Sequence, residues 1–390
     1  MNVRFLFVSV AIIGLLLGPQ SAGAAVDLTV TVGDRKIIVF EDGVSDEVKA
    51  EVLESAGATT VKSLDSIDAT VVVQSLVSDE ALEARPEVKR VDDDVRVYAL
   101  SHRTRQAPPQ ILPWGVERIG APTAWGEATG TAIRVAIVDT GIDLDHPDLA
   151  RNIKSGFNAI SPSRSPDDDN GHGSHVAGIV GAVNNTIGSV GVAVDAELLP
   201  VKVLDRRGRG YLSDIVEGID WAVAHGADVI NLSLGTSVDI LSLREAIERA
   251  IRSNVVVVAA AGNSGDEVLY PAAYAGVIAV GATDDTNEVQ RWSSRGADLD
   301  LVAPGEDIYS TYKEGRYETA TGTSMAAPHV AGVAALLLDD PQFCDLDGDQ
   351  RCSPAEVEQR LESTATDLLG AGRDDVSGAG LVNAARALGL

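Results

Sequence analysis

Cysteine, basic charge and long apolar runs are all scarce in this chain. Its 390 residues hold two cysteines, Cys344 and Cys352. That number excludes a disulfide-built scaffold and a four-cysteine metal site, and neither residue has the surroundings of a cysteine nucleophile. Lysine and arginine total 31 against 58 aspartates and glutamates, a formal charge of -27. A field of that sign repels nucleic acid and anionic membranes, so neither is expected as a partner. Beyond the first twenty-odd residues no stretch reaches about 18 uninterrupted apolar positions, so no transmembrane helix is expected in the mature protein. There is no internal repeat and no low-complexity tract.

The one marked apolar run lies at the start. Arg4 precedes Phe5–Leu17, and the small residues Ala22-Gly-Ala24 follow. A basic residue, a short apolar run and a small-x-small site make a secretory signal, so residues 1–24 are expected to be removed and the protein secreted. In that compartment Cys344 and Cys352 are expected to form a local disulfide rather than two free thiols.

With 45% hydrophobic residues, the remainder has ample material for a core. Residues 25–100 carry a compact α+β pattern. Lys36–Phe40 and Ala69–Val73 are strands, Val88–Val91 is another, and Ser45 and Ser78 cap helices reaching Ala56 and past Ala84. The whole is taken as strand-helix-strand-strand-helix-strand, a ferredoxin-like order. Residues 101–109, polar, basic and ending in two prolines, form an exposed linker. From 110 to 390 buried strands alternate with helices. The strands are 133–138, 198–203, 229–232, 255–259 and 277–280; the helices are 175–183, 213–225, 241–253 and 326–338. This α/β alternation implies a doubly wound, mostly parallel sheet with helices on both faces.

Three short segments carry the chemistry. Val-Ala-Ile-Val-Asp139-Thr-Gly puts a carboxylate at the carboxyl end of a buried strand, where open α/β sheets bind ligands. Asn-Gly-His172-Gly-Ser-His-Val-Ala-Gly puts an imidazole between glycines ahead of an apolar helix. Gly-Thr-Ser324-Met-Ala-Ala-Pro puts a hydroxyl at the start of a long helix, whose free N–H groups favour an anion. A serine hydroxyl is a poor nucleophile until a base takes its proton, and the base needs an anion to fix its tautomer. His175, one turn after His172, has no partners for a zinc set and is expected to be a buried, hydrogen-bonded helix histidine.

These segments, in the order Asp, His, Ser, resemble those of the subtilisin-like serine proteases. The resemblance extends to Gly262-Asn263-Ser-Gly265, whose asparagine would donate to the oxyanion. It implies a calcium-stabilised serine endopeptidase that works through an acyl-enzyme on protein or peptide substrates, as a monomer. Gly208-Arg-Gly210 and Ser233-Leu234-Gly235 resemble the two strands that sandwich the substrate backbone. Ala260 to Gly262 would form the other wall of the primary side-chain pocket. Leu212, Ile215 and Leu234 match an apolar distal subsite. Asp266 and Glu267, near the pocket base, leave a basic preference open.

Residues 25–100 resemble the family's inhibitory pro-domain. Its end, Val91-Asp-Asp-Asp94-Val-Arg-Val-Tyr-Ala-Leu100, places self-cleavage after Leu100, with Val97 in the distal pocket and Leu100 in the primary one. About nine further residues precede Gln110-Ile-Leu-Pro-Trp-Gly115, which resembles the mature start, so later trimming is expected. The same resemblance implies a tight calcium site from the side chains of Gln110, Asp148 and Asn185 and the carbonyls of Val183, Ile187 and Ser189. A weaker cation site would involve Asp298 and Asp300 with carbonyls around Ala272, Tyr274 and Val277. A further candidate is peculiar to this chain. Asp345, Asp347, Asp349 and Glu356 stand at positions one, three, five and twelve of an EF-hand-like loop, with Gln350 where that loop takes glycine. Calcium binding there and a disulfide-closed acidic turn both fit the residues.

Overall fold

The computed structural model describes residues 35–73, 76–99, 102–104 and 111–390. The signal segment, Leu100 and Gln110 lie outside them.

The N-terminal unit runs β1 (Arg35–Phe40), α1 (Asp46–Ser55), β2 (Thr59–Leu64), β3 (Ala69–Val73), α2 (Asp79–Glu83) and β4 (Val88–Asp93). Its antiparallel sheet has the order β2-β3-β1-β4, the ferredoxin-like arrangement. Ser45 and Ser78 accept from Val48 and Ala81 N–H, capping both helices as their sequence positions require. One strand could not be located from sequence. β2 lies at the sheet edge, and its polar residues leave only Leu64 buried.

Two short strands follow, β5 (Arg96–Ala99) and β6 (His102–Thr104). The second falls within the segment expected as a linker, and its three residues pair along a sheet edge of the large domain.

The large domain opens with α3 (Trp114–Arg118) and α4 (Ala121–Ala124), then β7 (Arg134–Asp139), β8 (Phe157–Asn158), α5 (His172–Gly181), β9 (Glu197–Lys202), β10 (Arg209–Tyr211) and α6 (Leu212–Ala224). After these come β11 (Val229–Leu232), β12 (Leu234–Gly235), α7 (Leu241–Arg252), β13 (Val256–Ala260), β14 (Val277–Thr283) and β15 (Leu301–Pro304). The chain ends with the hairpin β16 (Ile308–Tyr312) and β17 (Arg316–Thr321), then α8 (Thr323–Asp339), α9 (Pro354–Thr364) and α10 (Ala384–Ala387).

Seven strands form one parallel sheet in the order β15-β14-β13-β11-β7-β9-β8. Alternate strand residues face two cores. Val135, Ile137, Val256, Val258 and Val280 pack with α5 and α8, whereas Ala136, Val138, Ile230, Val257 and Ala279 pack with α6 and α7. Strands buried on both faces need apolar side chains at every position, which is why their sequence runs do not alternate. The chain builds outward from β7 to β9 on one side and from β11 to β15 on the other. The carboxyl end of β7 therefore lies at the switch point where such sheets form their sites.

Candidate active site

Asp139 ends β7 and is fully buried. His172 is the first residue of α5, which begins three residues earlier than its apolar pattern indicates, with Gly171 at its cap. His172 Nδ1 lies 2.7 Å from Asp139 Oδ1 and 2.9 Å from Oδ2. Asp139 Oδ1 also accepts from Thr140 N–H at 2.6 Å. The approach is close enough that a β-carbon on Gly173 would stand 2.1 Å from the Gly141 carbonyl oxygen, so only glycine fits there. An ionised carboxylate can only accept, so Nδ1 must carry the proton. That leaves Nε2 of a neutral imidazole with a free lone pair, and this atom has no hydrogen-bond partner among the described residues.

Ser324 lies in the first turn of α8, fully buried. Its Oγ donates to the Ser233 carbonyl at 3.1 Å, while Ser233 Oγ donates to the Ser324 carbonyl at 2.8 Å. Among the described residues no hydrogen bond joins Ser324 Oγ to His172.

Asn263 follows β13. Its Oδ1 accepts from both the N–H and the hydroxyl of Thr323, each at 2.9 Å. A backbone N–H can only donate, so the accepting atom is the oxygen and the amide NH2 remains available for another acceptor. Thr323 Oγ1 in turn accepts from Gly262 N–H at 3.1 Å.

The two segments expected to hold substrate meet on β5, which lies antiparallel between β10 and β12. Val97 pairs with Gly210, Tyr98 with Arg209 and Gly235, and Ala99 with Leu234. Gly210 admits no side chain, since a β-carbon would stand 2.2 Å from the Val203 carbonyl oxygen. Gly208 forms the turn before β10 with φ +69°. Val97 is buried in one cluster with Leu212, Ile215 and Leu234. Ser233 sits between β11 and β12, and Ala260 to Gly262 close β13, all buried. On the other side of Ser324, His102 pairs with Thr321 on β17.

A family model described as the subtilase family matches residues 130–380. The chain is 40% identical over 358 residues to an alkaline protease of Alkalihalobacillus alcalophilus, covering 91% of this chain and 85% of that protein. It is 46% identical over 278 residues to subtilisin BL of Lederbergia lenta, covering 70% and 98%. It is 39% identical over 343 residues to subtilisin E of Bacillus subtilis (strain 168), covering 86% and 84%. The chain belongs to the subtilase family. It is a serine endopeptidase of the subtilisin type.

Sequence reasoning missed several supports of this subtilase site. Asp168 caps α5, accepting from Gly171 N–H at 2.8 Å and from Ser174 N–H at 2.9 Å. Burial pushes its carboxyl up despite these bonds. Thr140 Oγ1 donates to Asp168 and accepts from Gly173 N–H, tying the Asp139 strand to the His172 helix. The Asp-Asp-Asp-Asn run ahead of His172 was a legible capping signal. The Thr323 bridge was not, because its partner is 60 residues away. His175 is buried, with Nε2 2.9 Å from the Ile308 carbonyl and 3.1 Å from that of Glu318, as expected of a structural histidine.

The candidate metal sites differ from one another. Asp148 is fully buried, and among the described residues no lysine or arginine pairs with it. Its oxygens instead accept from Asn185 Nδ2 at 2.7 Å, Ser189 N–H at 3.0 Å and the Tyr317 hydroxyl at 2.7 Å. A buried carboxylate without a lysine or arginine partner, hydrogen-bonded to the Asn185 amide and to the backbone of Ser189 in the loop expected to supply the ligands, fits a hard cation. The weaker site takes a different form. Asp300 pairs with Arg373 Nη2 at 2.6 Å, so a guanidinium supplies the positive charge beside Asp298, Ala272, Tyr274 and Val277. Glu358 and Glu362 join Asp300 there.

In the third region Cys344 and Cys352 form a disulfide with Cα atoms 5.5 Å apart. The carboxylates of Asp345, Asp347 and Asp349 gather within 4.8 Å of one another. Gln350, in the glycine position of the loop, takes φ +67°. Glu356 does not join the cluster. It forms a capping box with Ser353 at the start of α9 and accepts from Leu346 N–H at 2.9 Å.

Proposed function

We propose that this subtilase is a secreted, calcium-stabilised endopeptidase made as a self-inhibited precursor. Residues 1–24 are the signal, 25–100 the inhibitory pro-domain, 101–109 a linker trimmed later, and 110–390 the peptidase, acting as a monomer. The observation carrying this reading is the path of the chain around Ser324. β5 occupies the position of a substrate strand, and its last described pair, Ala99 with Leu234, stops one residue short of Ser233. The Ser233 carbonyl is the atom that Ser324 Oγ touches. His102 resumes pairing on β17, beyond the serine. A chain held on both sides of a nucleophile presents the intervening bond to it, which favours processing after Leu100.

In this reading Asp139 fixes the Nδ1–H tautomer of His172 and balances its charge once protonated. Ser324 Oγ leaves the Ser233 carbonyl, gives its proton to Nε2 and attacks the scissile carbonyl. The carbonyl oxygen becomes an anion that accepts from Asn263 Nδ2 and Ser324 N–H. His172 then protonates the leaving amine. A water deprotonated by the same nitrogen releases the acyl group. Gly208, Gly210 and Ser233 to Gly235 hold the substrate backbone. Leu212, Ile215 and Leu234 take the apolar side chain that Val97 occupies in the precursor. Calcium at Asp148, with Gln110 and Asn185, would tie the 183–189 loop to the mature start. Its role is structural.

A serine-directed fluorophosphonate tests the reading. Labelling of Ser324 in the mature protein, together with accumulation of unprocessed chain in Ser324→Ala, is the expected result. Normal maturation of Ser324→Ala with no other protease present overturns self-cleavage.

A further inference from the structure

The two segments assigned to the primary pocket, Ser233 to Gly235 and Ala260 to Gly262, are joined at one end by Leu269 and Tyr270. Leu269 N–H donates to the Ala261 carbonyl at 2.8 Å. Tyr270 and Thr236 exchange backbone hydrogen bonds at 2.8 and 2.9 Å. This short segment is therefore fastened to both walls, and its first side chain turns into the space between them. A β-carbon placed on Gly262 would stand 2.8 Å from Leu269 Cγ and 2.9 Å from its Cδ1. A β-carbon placed on Gly235 would stand 3.3 Å from Leu269 Cβ and 3.4 Å from the same Cδ1. One methyl group thus touches both glycines. With each wall stripped to glycine at that level, the leucine takes the volume that a long substrate side chain would need. It is 6% exposed and packed with the core.

The nearby acids do not reach this space. Asp266 and Glu267 are exposed and line a neighbouring cavity of about 770 Å³ with Ser237, Arg295, Asp298 and Leu269 itself, a lining that includes neither Gly235 nor Gly262, so the leucine stands between that cavity and the two walls. A basic side chain entering between the walls would meet the Leu269 methyl groups rather than a carboxylate.

We propose that Leu269 is the floor of the primary pocket and sets the specificity of cleavage. It admits small and medium aliphatic side chains immediately before the cut and excludes aromatic and basic ones. This rests on the assignment of Ser324 and the two walls made above. One methylene of misfit in an apolar pocket discriminates by about 10–200-fold, and an aromatic ring exceeds that misfit.

The test uses the mature enzyme and peptides that differ only in the residue before the cut: Ala, Leu, Phe or Lys. The fraction of molecules labelled at Ser324 normalises each rate. The expected kcat/KM for Leu exceeds that for Phe and Lys by at least about tenfold. In Leu269→Ala the Phe-to-Leu ratio should rise by about tenfold or more, and in Leu269→Phe only Ala should remain a good substrate. A labelled wild-type enzyme that cuts after Phe as fast as after Leu overturns the proposal, and this needs no variant to fold. A Leu269→Ala enzyme with an unchanged ratio does the same. Failure of Ser324 to label at all would overturn the site assignment instead, which separates the two outcomes.

Discussion

Asp94 accepts the backbone N–H of Ser213 at 2.9 Å through Oδ1 and the Ser213 hydroxyl at 2.9 Å through Oδ2. Ser213 is in the first turn of α6, whose own cap residue, Tyr211, makes no side-chain capping bond. The N-terminal unit therefore supplies the cap for a helix of the peptidase. Arg35 completes the joint, donating to Asp94 Oδ2 at 2.8 Å and Ser213 Oγ at 3.0 Å, with its guanidinium 3.7 Å from the Tyr211 ring centroid. Burial pushes the Asp94 carboxyl up, opposed by Arg35. At the start of α7 the Ser242 hydroxyl donates to Asp92, and Lys62 reaches Asp214 and Glu217.

If residues 25–100 act as an inhibitor, Asp94→Ala removes a charge-assisted cap and leaves Arg35 without its partner. Such a bond contributes about 1.5–3 kcal/mol. The inhibition constant of the excised segment, measured on the mature enzyme, should weaken by about 10–100-fold. An unchanged constant would place the binding energy in β5 and the remaining contacts of Asp92 and Lys62 instead.

Asn263 and Thr323 form a second testable pair. Asn263→Ala should lower kcat by about 10²–10³-fold with KM little changed, because its NH2 acts only where charge develops. Thr323→Val removes one of the two hydrogen bonds holding the amide oxygen but leaves the Thr323 N–H. Its expected loss is smaller, about tenfold, and again in kcat. A loss confined to KM in Asn263→Ala would remove both residues from oxyanion stabilisation.

The buried Asp148 carboxylate predicts a calcium-dependent thermal stability. With free calcium at about 100 times its dissociation constant, binding adds about 2.7 kcal/mol, or roughly 5–10 °C in Tm for a domain of this size. Asp148→Asn should abolish most of that increment. Asp347→Asn should leave it intact if the acidic turn is only a disulfide-closed loop, and reduce it if that loop also binds. Scanning calorimetry with calcium and with a chelator, in the Ser324→Ala background to prevent autolysis, gives the comparison.

Much of this arrangement was legible in the chain, and the parts that were not share a cause. Val135–Val138 and Val255–Ala259 announce themselves because a strand covered on both faces leaves no polar position. Asp139 and Asn263 sit at the end of such strands and His172 and Ser324 at the start of buried helices, where local pattern marks them. β2 escaped because an edge strand with solvent on most of its surface can be built from Thr59, Thr60, Lys62 and Ser63. Arg373 was invisible as a partner of Asp300 because 73 residues separate them, and no local periodicity encodes that meeting. The same holds for Asp94 with Ser213, which sequence places in different domains. The resting bond of Ser324 to Ser233, rather than to His172, is a choice between rotamers that no residue pattern fixes.

Arg373 brings the last prediction. It faces three carboxylates, Asp300, Glu358 and Glu362, with oxygens within 4.8 Å of one another. One guanidinium cannot balance three charges, and burial raises all three carboxyls above their ordinary range. Glu358 is pushed up to about 7, first by burial and then by the charges of Asp300 and Glu362. In the unfolded chain the same group titrates near its ordinary 4.5. The folded state thus holds this proton more tightly, so its stabilising contribution is complete below about pH 4.5 and is lost as pH rises through about 7. Glu358→Gln keeps the shape of the side chain and removes the charge. Because the group is partly exposed, solvent screening limits the gain to about 1 kcal/mol or less, or roughly 2–4 °C. Thermal unfolding in the Ser324→Ala background at fixed calcium should show Glu358→Gln more stable than its parent at about pH 8.5 and no more stable at about pH 5. Equal shifts at both values would mean that the glutamine acts through packing, and that the cluster at Arg373 carries no linked proton.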